Sequence, residues 1–82
     1  MKATVLVRPK EGILDPQGQA VTASLQQLGF GVTDTRIGRV IDVELDDSDR
    51  VKAHAALERM CEQLLANPLI ESYEIVLREN AT

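Results

Sequence analysis

Apolar and polar residues alternate along three short stretches of the chain, at 2–8, 40–45 and 72–78, which is the pattern that half-buried β-strands produce. In the first stretch, residues 2–8, every second residue is Ala or Val on one side. Pro9 ends this strand, because proline donates no hydrogen bond to a neighbouring strand. The stretch at 32–37 is more polar, which suits the edge of a sheet. The pattern therefore predicts four strands, over residues 2–8, 32–37, 40–45 and 72–78, with Gly38-Arg39 as the turn between the middle two.

Two other stretches repeat apolar residues every three to four positions, which predicts helices. The first helix begins at Asp15-Pro16, because aspartate caps free N–H groups and proline suits the first helical position. Gly29 is placed to end it in a left-handed conformation. Gly18 inside the helix costs about 0.5–1 kcal/mol relative to Ala, for which close packing of a neighbouring chain is one possible reason. The apolar stripe of this helix is formed by Val21, Leu25 and Leu28.

The second helix is predicted to begin after the acidic cluster at 46–49. Asp and Ser cap helices well, and negative charge is favourable at a helix N-terminus. Asn67-Pro68 ends this helix, since proline cannot continue it. Its apolar stripe is predicted to contain His54, Leu57, Cys61 and Leu64, widened by Ala53, Met60 and Leu65.

The predicted order is β-α-β-β-α-β, which indicates a ferredoxin-like α+β sandwich. In that fold, two helices cover one face of a four-stranded antiparallel sheet. We expect residues 1–82 to form one domain, with 79–82 as a flexible tail. A domain of 82 residues buries a limited fraction of its surface, so association with another chain would stabilise it.

Composition argues against two classes of partner. The net charge is −4 and aromatic residues are 2% of the chain, so neither phosphate neutralisation nor base stacking is favoured and nucleic-acid binding is not expected. No long apolar run is present, so no membrane association is expected. A lone cysteine, Cys61, rules out an internal disulfide and agrees with a cytoplasmic setting.

The chain lacks the residue sets that catalysis requires. Cys61 and His54 are its only cysteine and histidine, and on a helix they stand roughly 10.5 Å apart along the axis, too far for a nucleophile–base pair. One His and one Cys also cannot supply a zinc site, and the acidic cluster lacks the pattern of a calcium loop. Gly29-Phe30-Gly31 is not a phosphate loop. We therefore predict no catalytic, cofactor-binding or metal-binding residues, and a binding or architectural role.

Three motifs resemble the PurS family. They occur in the family's order and are Gly12-Ile13-Leu14-Asp15-Pro16-Gln17-Gly18, Arg36-Ile37-Gly38-Arg39, and Leu64-Leu65-Ala66-Asn67-Pro68-Leu69-Ile70-Glu71-Ser72-Tyr73. The third is the most specific. Departures are slight: the family often has Lys at position 39, Val at 69 and Asp at 72.

The resemblance implies a non-catalytic small subunit of phosphoribosylformylglycinamidine synthase in purine biosynthesis. Such subunits work with a large ATP-dependent synthetase subunit and a glutaminase subunit, and the resemblance implies that this chain bridges them and helps to form the ammonia path. The complex converts formylglycinamide ribonucleotide, glutamine and ATP to formylglycinamidine ribonucleotide, glutamate, ADP and phosphate. ATP and Mg²⁺ are used by the large subunit, so no cofactor is expected in this chain. Family members self-associate as dimers or tetramers.

The motifs supply the candidate subunit contacts. Asp15 and Pro16 start one predicted helix, and Asn67 and Pro68 end the other. For these four residues a structural role explains the motif as well as a subunit contact does. Arg36, Arg39 and Glu71 are better contact candidates, because neither turn nor strand geometry demands their charge. The full candidate set is Asp15, Pro16, Gln17, Gly18, Arg36, Gly38, Arg39, Asn67, Pro68, Glu71 and Tyr73.

Two other functions use the same order of elements. An ACT-type regulatory module would bind a small effector near the first loop and helix, at a subunit interface. An acylphosphatase-like hydrolase would need an anion-binding arginine in a phosphate-cradling loop. Pro9 follows Arg8 and removes a backbone donor there, which argues against the hydrolase.

Overall fold

The first predicted strand lies at the centre of the sheet. The computed structural model describes residues 1–78, and the predicted tail at 79–82 lies outside them. Strand β1 (Lys2–Pro9) pairs antiparallel with both β2 (Arg39–Glu44) and β3 (Glu71–Arg78). Ala3, Val5 and Val7 are 0–1% exposed, so one face of β1 forms the core as its alternation predicts.

Helix α2 (Arg50–Met60) covers this face of the sheet. Asp49 caps it by accepting from the N–H groups of Val51 and Lys52. Three residues four positions apart, Ala53, Leu57 and Cys61, are buried at 0% exposure.

A π-helical turn (Cys61–Leu65) follows α2, closed by the Ala66 N–H donating to the Cys61 carbonyl at 3.0 Å. The wider turn changes the helical phase, because each π-helical bond spans five residues instead of four. Leu64 is consequently 83% exposed. His54 is also exposed and pairs with Glu58. The prediction that these two side chains belong to the apolar stripe was wrong.

Helix α1 (Pro16–Gln27) begins where the sequence predicts, with Asp15 as its cap and Pro16 in its first turn. Gly29 follows it with φ +95°, the left-handed conformation expected there. Gly18 is buried, and a Cβ at this position would lie 2.1 Å from the carbonyl oxygen of Thr35. Gly18 is therefore required by the chain's own 32–37 segment, which packs against it.

The predicted strand at 32–37 is absent, so the sheet of the described residues has three strands in the order β2-β1-β3. The backbone groups of this segment bond to α1 and its cap: Gln26 Nε2 donates to the Val32 carbonyl at 2.9 Å, and the Ile37 N–H donates to Asp15 at 2.8 Å. The predicted turn at Gly38-Arg39 is also replaced. Gly38 lies against β1, where a Cβ would be 2.2 Å from the Val7 carbonyl oxygen, and β2 begins at Arg39.

The predicted packing of two helices on one face of the sheet holds only for α2. Helix α1 makes no substantial contact with any strand or with α2. The chain is accordingly elongated, measuring 48 × 31 × 14 Å with a Cα radius of gyration of 16.2 Å. A compact domain of this length has a radius of gyration of about 12 Å. The elements α1 and 28–38 therefore form an arm beside the sheet rather than a second layer on it.

Candidate functional site

The three sequence motifs meet at the end of the sheet where β1 finishes. Between them lies an open cavity of about 360 Å³, which we call the motif cleft. Its wall is built from three segments, at 9–17, 37–39 and 70–71. Six of the predicted site residues line it: Asp15, Pro16, Gln17, Gly38, Arg39 and Glu71.

Asp15 joins the start of α1 to the second motif. One carboxylate oxygen accepts from the Gly18 N–H at 3.1 Å and the other from the Ile37 N–H at 2.8 Å. These two backbone donors, first that of Ile37, lower the pKa of Asp15, because they favour the charged form. Asp15 is therefore ionised at neutral pH and holds two of the motifs together.

Arg39 joins the second motif to the third. Its guanidinium makes a bidentate pair with Glu71, with Nη1–Oε2 at 2.7 Å and Nη2–Oε1 at 3.0 Å, and Nη2 also donates to the Leu65 carbonyl at 2.7 Å. Glu71 accepts further from the Asn67 N–H at 2.7 Å. The Arg39 guanidinium and then the Asn67 N–H lower the pKa of Glu71, while Glu71 raises the pKa of Arg39. The charges of this pair thus have a partner within the chain.

The remaining candidates lie around the cleft rather than in it. Arg36 donates to the Lys10 carbonyl at 2.8 Å and ties the second motif to the loop that precedes the first. The Asn67 side chain accepts from the Leu69 N–H at 3.1 Å, which orders the turn that contains Pro68. Tyr73 donates to Glu62 at 2.8 Å, and this bond raises the pKa of Tyr73 to about 12. Gly18 packs under the segment at 32–37, as described above.

Sequence reasoning did not single out the apolar lining of the cleft. Four aliphatic residues contribute to it, Ile13, Leu14, Ile37 and Ile70. Leu14 is 69% exposed and Ile70 43% exposed. The available signal was weak: Ile13, Leu14 and Ile70 are apolar residues in loops, outside any period of two or 3.6, and Ile37 was assigned to the predicted strand at 32–37. Such residues are typical of the apolar centre of a protein interface, with charged groups at the rim.

The described residues do not assemble a catalytic set. Cys61 is buried in the core, and burial raises the pKa of its thiol. His54 instead contacts Glu58, with Nδ1–Oε1 at 2.8 Å. Within residues 1–78, no three His, Cys, Asp or Glu side chains are grouped as metal ligands. Across the same residues, no helix has the length and apolar character needed to span a bilayer.

The fold and the cleft define a class of protein: a small α+β association module with an apolar, charge-rimmed cleft. Comparison with known proteins then identifies the family. Residues 2–79 match the sequence model of PurS, phosphoribosylformylglycinamidine (FGAM) synthase. The chain therefore belongs to the PurS family. This match favours the association role over the ACT-type and acylphosphatase-like alternatives.

Individual relatives cover nearly the whole chain. The phosphoribosylformylglycinamidine synthase subunit PurS of Synechocystis sp. is 48% identical over 80 residues, covering 94% of this chain and 78% of that one. The crystal structure of Methanocaldococcus jannaschii PurS, one of the subunits of formylglycinamide ribonucleotide amidotransferase, superposes with a TM-score of 0.85 at 36% identity, covering 98% of each chain. A chain in the structure of PurLQS from Thermotoga maritima gives a TM-score of 0.83 at 30% identity, covering 92% of this chain and 93% of that one.

Proposed function

We propose that this chain is the non-catalytic small subunit of phosphoribosylformylglycinamidine synthase in purine biosynthesis. In this role it bridges the glutaminase and the ATP-dependent synthetase subunits in the cytoplasm and supports ammonia transfer between them. The large subunit binds and uses ATP and Mg²⁺. Copies of this chain associate with one another as a dimer or tetramer. The support from relatives is direct, because they are named as subunits of this enzyme and one lies in a PurLQS structure.

One observation carries the proposal: the three motifs that mark the family line one cleft. Three charged side chains hold that cleft in shape. Asp15 links the first two motifs, and the Arg39–Glu71 pair links the last two. The exposed side chains that remain on its wall, such as Leu14 and Gln17, make none of these supporting bonds. We infer that the charged residues shape the cleft and that the exposed wall residues contact a partner subunit.

Omission of the chain tests the bridging role. The large and glutaminase subunits are combined with and without this chain, and product formation is measured with glutamine or with free ammonia as nitrogen donor. We expect glutamine-dependent activity to require this chain and ammonia-dependent activity to persist without it, since only the first needs ammonia to pass between subunits. Full glutamine-dependent activity in its absence would refute the bridging role.

A pair of variants tests the cleft itself. Leu14→Asp places a charge on the exposed apolar wall, and Val51→Asp places the same charge on another exposed residue, which lies by Leu77 near the other end of β3. We expect Leu14→Asp to weaken co-purification with the two larger subunits about tenfold or more, because an interface centre disfavours an unpaired charge. Val51→Asp should leave it unchanged. Equal behaviour of the two variants would show that the cleft is not the contact surface.

A further inference from the structure

Three arginines line one cavity at the place where β1 ends and β2 begins. The cavity measures about 320 Å³, and we call it the arginine pocket. No Asp or Glu of the described residues belongs to its lining, although acidic residues outnumber basic ones in the chain, 13 to 9. The pocket is therefore a local concentration of positive charge on an acidic chain. The lining residues used below are Arg8, Arg36, Arg39, Leu6, Pro9 and Val40.

Arg36 has no charged partner within the described residues, whereas Arg39 pairs with Glu71. The Arg36 guanidinium donates to the Lys10 carbonyl at 2.8 Å. Within residues 1–78, no carboxylate lies within 4.0 Å of it. A guanidinium carries five N–H donors, so the bond to Lys10 orients the group and leaves donors for a further acceptor.

Arg8 lines the same pocket and is held weakly. Its contact with Glu74 is 3.8 Å long, beyond the range of an N–H···O hydrogen bond, and both side chains are 62% exposed. Exposed ion pairs of this kind contribute little to stability. Both arginines also line a neighbouring cavity of about 350 Å³ with Glu11 and Asp34, neither of which forms an ion pair with them. Arg8 and Arg36 thus offer two guanidinium groups to an anion from outside the chain.

We propose that Arg8 and Arg36 bind a carboxylate side chain of one of the two larger subunits. The inference rests on the proposed role as a subunit and adds the chemistry of the contact. Guanidinium groups bind carboxylates in bidentate geometry and are more weakly hydrated than ammonium groups, so they lose less when an interface closes over them. Leu6 and Val40 face each other across β1 and β2 and add apolar surface to the pocket. Covering that surface favours binding, because it removes apolar area from water.

Continuity with the motif cleft identifies the occupant. Pro9, Gly38 and Arg39 line both the cleft and the arginine pocket, so a protein that covers the cleft also reaches the pocket at its edge. An apolar centre with charged groups at the rim is the arrangement found in protein interfaces. A free carboxylate or phosphate ion matches the charge but cannot cover Leu14, 69% exposed, or Val40, 64% exposed. A carboxylate carried by a protein surface meets both requirements.

Two matched double variants of the full chain test the proposal. Arg8→Gln with Arg36→Gln removes two charges of the pocket, and Lys52→Gln with Arg59→Gln removes two exposed charges of α2, so the net charge changes equally. Surface plasmon resonance measures association with the two larger subunits, from about 50 mM to about 500 mM sodium chloride.

We expect the pocket variant to associate about tenfold more slowly at low salt, because complementary charges accelerate encounter. Its association rate should also lose most of its dependence on salt, since salt screens the charges that the variant lacks. The α2 variant should keep the rate and the salt dependence of the unchanged chain, because neither of its substituted residues lines the pocket.

Two single variants separate the contact from the fold. Arg8→Gln removes no side-chain hydrogen bond of the described residues, and its circular dichroism spectrum should match that of the unchanged chain. It should slow association about threefold. Arg36→Lys keeps the charge but loses the planar fork, so it should speed dissociation more than it slows association. Unaltered association of Arg8→Gln and of the pocket double variant would overturn the proposal.

The outcomes also separate the pocket from the proposed function. If the unchanged chain binds neither larger subunit, the proposed function and the pocket contact are both refuted. If the unchanged chain binds and the pocket variant binds equally fast, or if the α2 variant slows as much as the pocket variant, only the pocket contact is refuted.

Two measurements on the isolated full chain examine other occupants. Inorganic phosphate and acetate are titrated while nuclear magnetic resonance records the Nε–H signals of Arg8 and Arg36, and no saturable shift is expected at millimolar concentrations. Light scattering should give the same mass for the pocket variant as for the unchanged chain. A saturable shift would assign the pocket to a free anion and a changed mass would assign it to a second copy, and either result would overturn the proposal.

Discussion

The two helices of this chain carry apolar stripes of similar length, but only one of the stripes is buried. Helix α2 lies on the sheet and buries Ala53, Leu57 and Cys61 completely. Helix α1 stands off the sheet with Leu28 73% exposed. An apolar stripe therefore predicts a helix with a face to bury, while the connections at the ends of the helix decide which surface lies against that face. For α1, the bonds of Asp15 and Gln26 to the segment at 32–37 hold the helix in the arm.

The largest effect should distinguish a covered leucine from an exposed one. Leu57→Ala removes a side chain of 0% exposure from the core and should lower the free energy of unfolding by about 2–5 kcal/mol. Leu64→Ala, a few residues further along, removes one that is 83% exposed and should change it by less than about 0.5 kcal/mol. Urea unfolding at one fixed protein concentration measures both. If the two variants lost similar amounts of free energy of unfolding, Leu57 would not belong to the core that α2 and the sheet form.

An intermediate loss of stability is expected when the packing between α1 and the segment at 32–37 is disturbed. Gly18→Ala improves helix propensity by about 1 kcal/mol, yet its Cβ would meet the Thr35 carbonyl oxygen at 2.1 Å. We expect the clash to outweigh the gain in helix propensity. The free energy of unfolding, measured by thermal unfolding, should fall by about 1–3 kcal/mol. Gly31→Ala is the control, because nothing lies within 4 Å of its Cβ position. A stabilised Gly18→Ala variant would show that the segment at 32–37 does not pack on α1.

The smallest effect should come from the charge that links β2 to β3. Glu71→Gln removes one charge of the bidentate pair with Arg39. Because the Arg39 side chain is 47% exposed, solvent weakens the pair, and the free energy of unfolding at pH 7 should fall by about 1 kcal/mol. The pKa of Glu71 is lowered by folding from its ordinary 4.5. The stabilisation is therefore present in full above about pH 4.5 and disappears as the pH falls through the lowered value.

Unfolding measured from pH 7 to pH 2 examines this pair. The difference between the unchanged chain and Glu71→Gln should close only at the acidic end of that range. Glu74→Gln is the matched control, since the Glu74–Arg8 contact is 3.8 Å long and both side chains are 62% exposed. If the difference in free energy of unfolding between the unchanged chain and Glu71→Gln persisted at pH 2, the carboxylate charge of Glu71 would not be the cause of that difference.

Local sequence rules accounted for most of the elements. Asp15-Pro16 and Asp46–Asp49 started helices because short-range caps act whatever the surroundings. The strand at 32–37 failed as a prediction because a strand needs a partner strand, and Asp15 and Gln26 took its backbone groups instead. The π-helical turn that exposes Leu64 likewise has no signature in the residues that form it.

The site could be predicted only in part. The motifs named Asp15, Arg39 and Glu71. Arg39 and Glu71 were expected to contact a partner because neither turn nor strand geometry demands their charge, and that reasoning did not foresee that the folded chain pairs them with each other. Leu14 and Ile70 line the same cleft from loops that are distant in sequence. No periodic pattern marks such residues, since their proximity follows from where β1 ends and β3 begins.

Residue type and short spacing were enough to predict the alternating core of β1, the helix caps and the family. Long-range contacts set the three strands of the sheet within residues 1–78, placed α1 in an arm beside that sheet, and brought the three motifs to one cleft. Those outcomes depend on long-range competition for hydrogen bonds and burial. Asp15 Oδ2 bonding to the Ile37 N–H, 22 residues away, is such an outcome, and a linear pattern does not specify it.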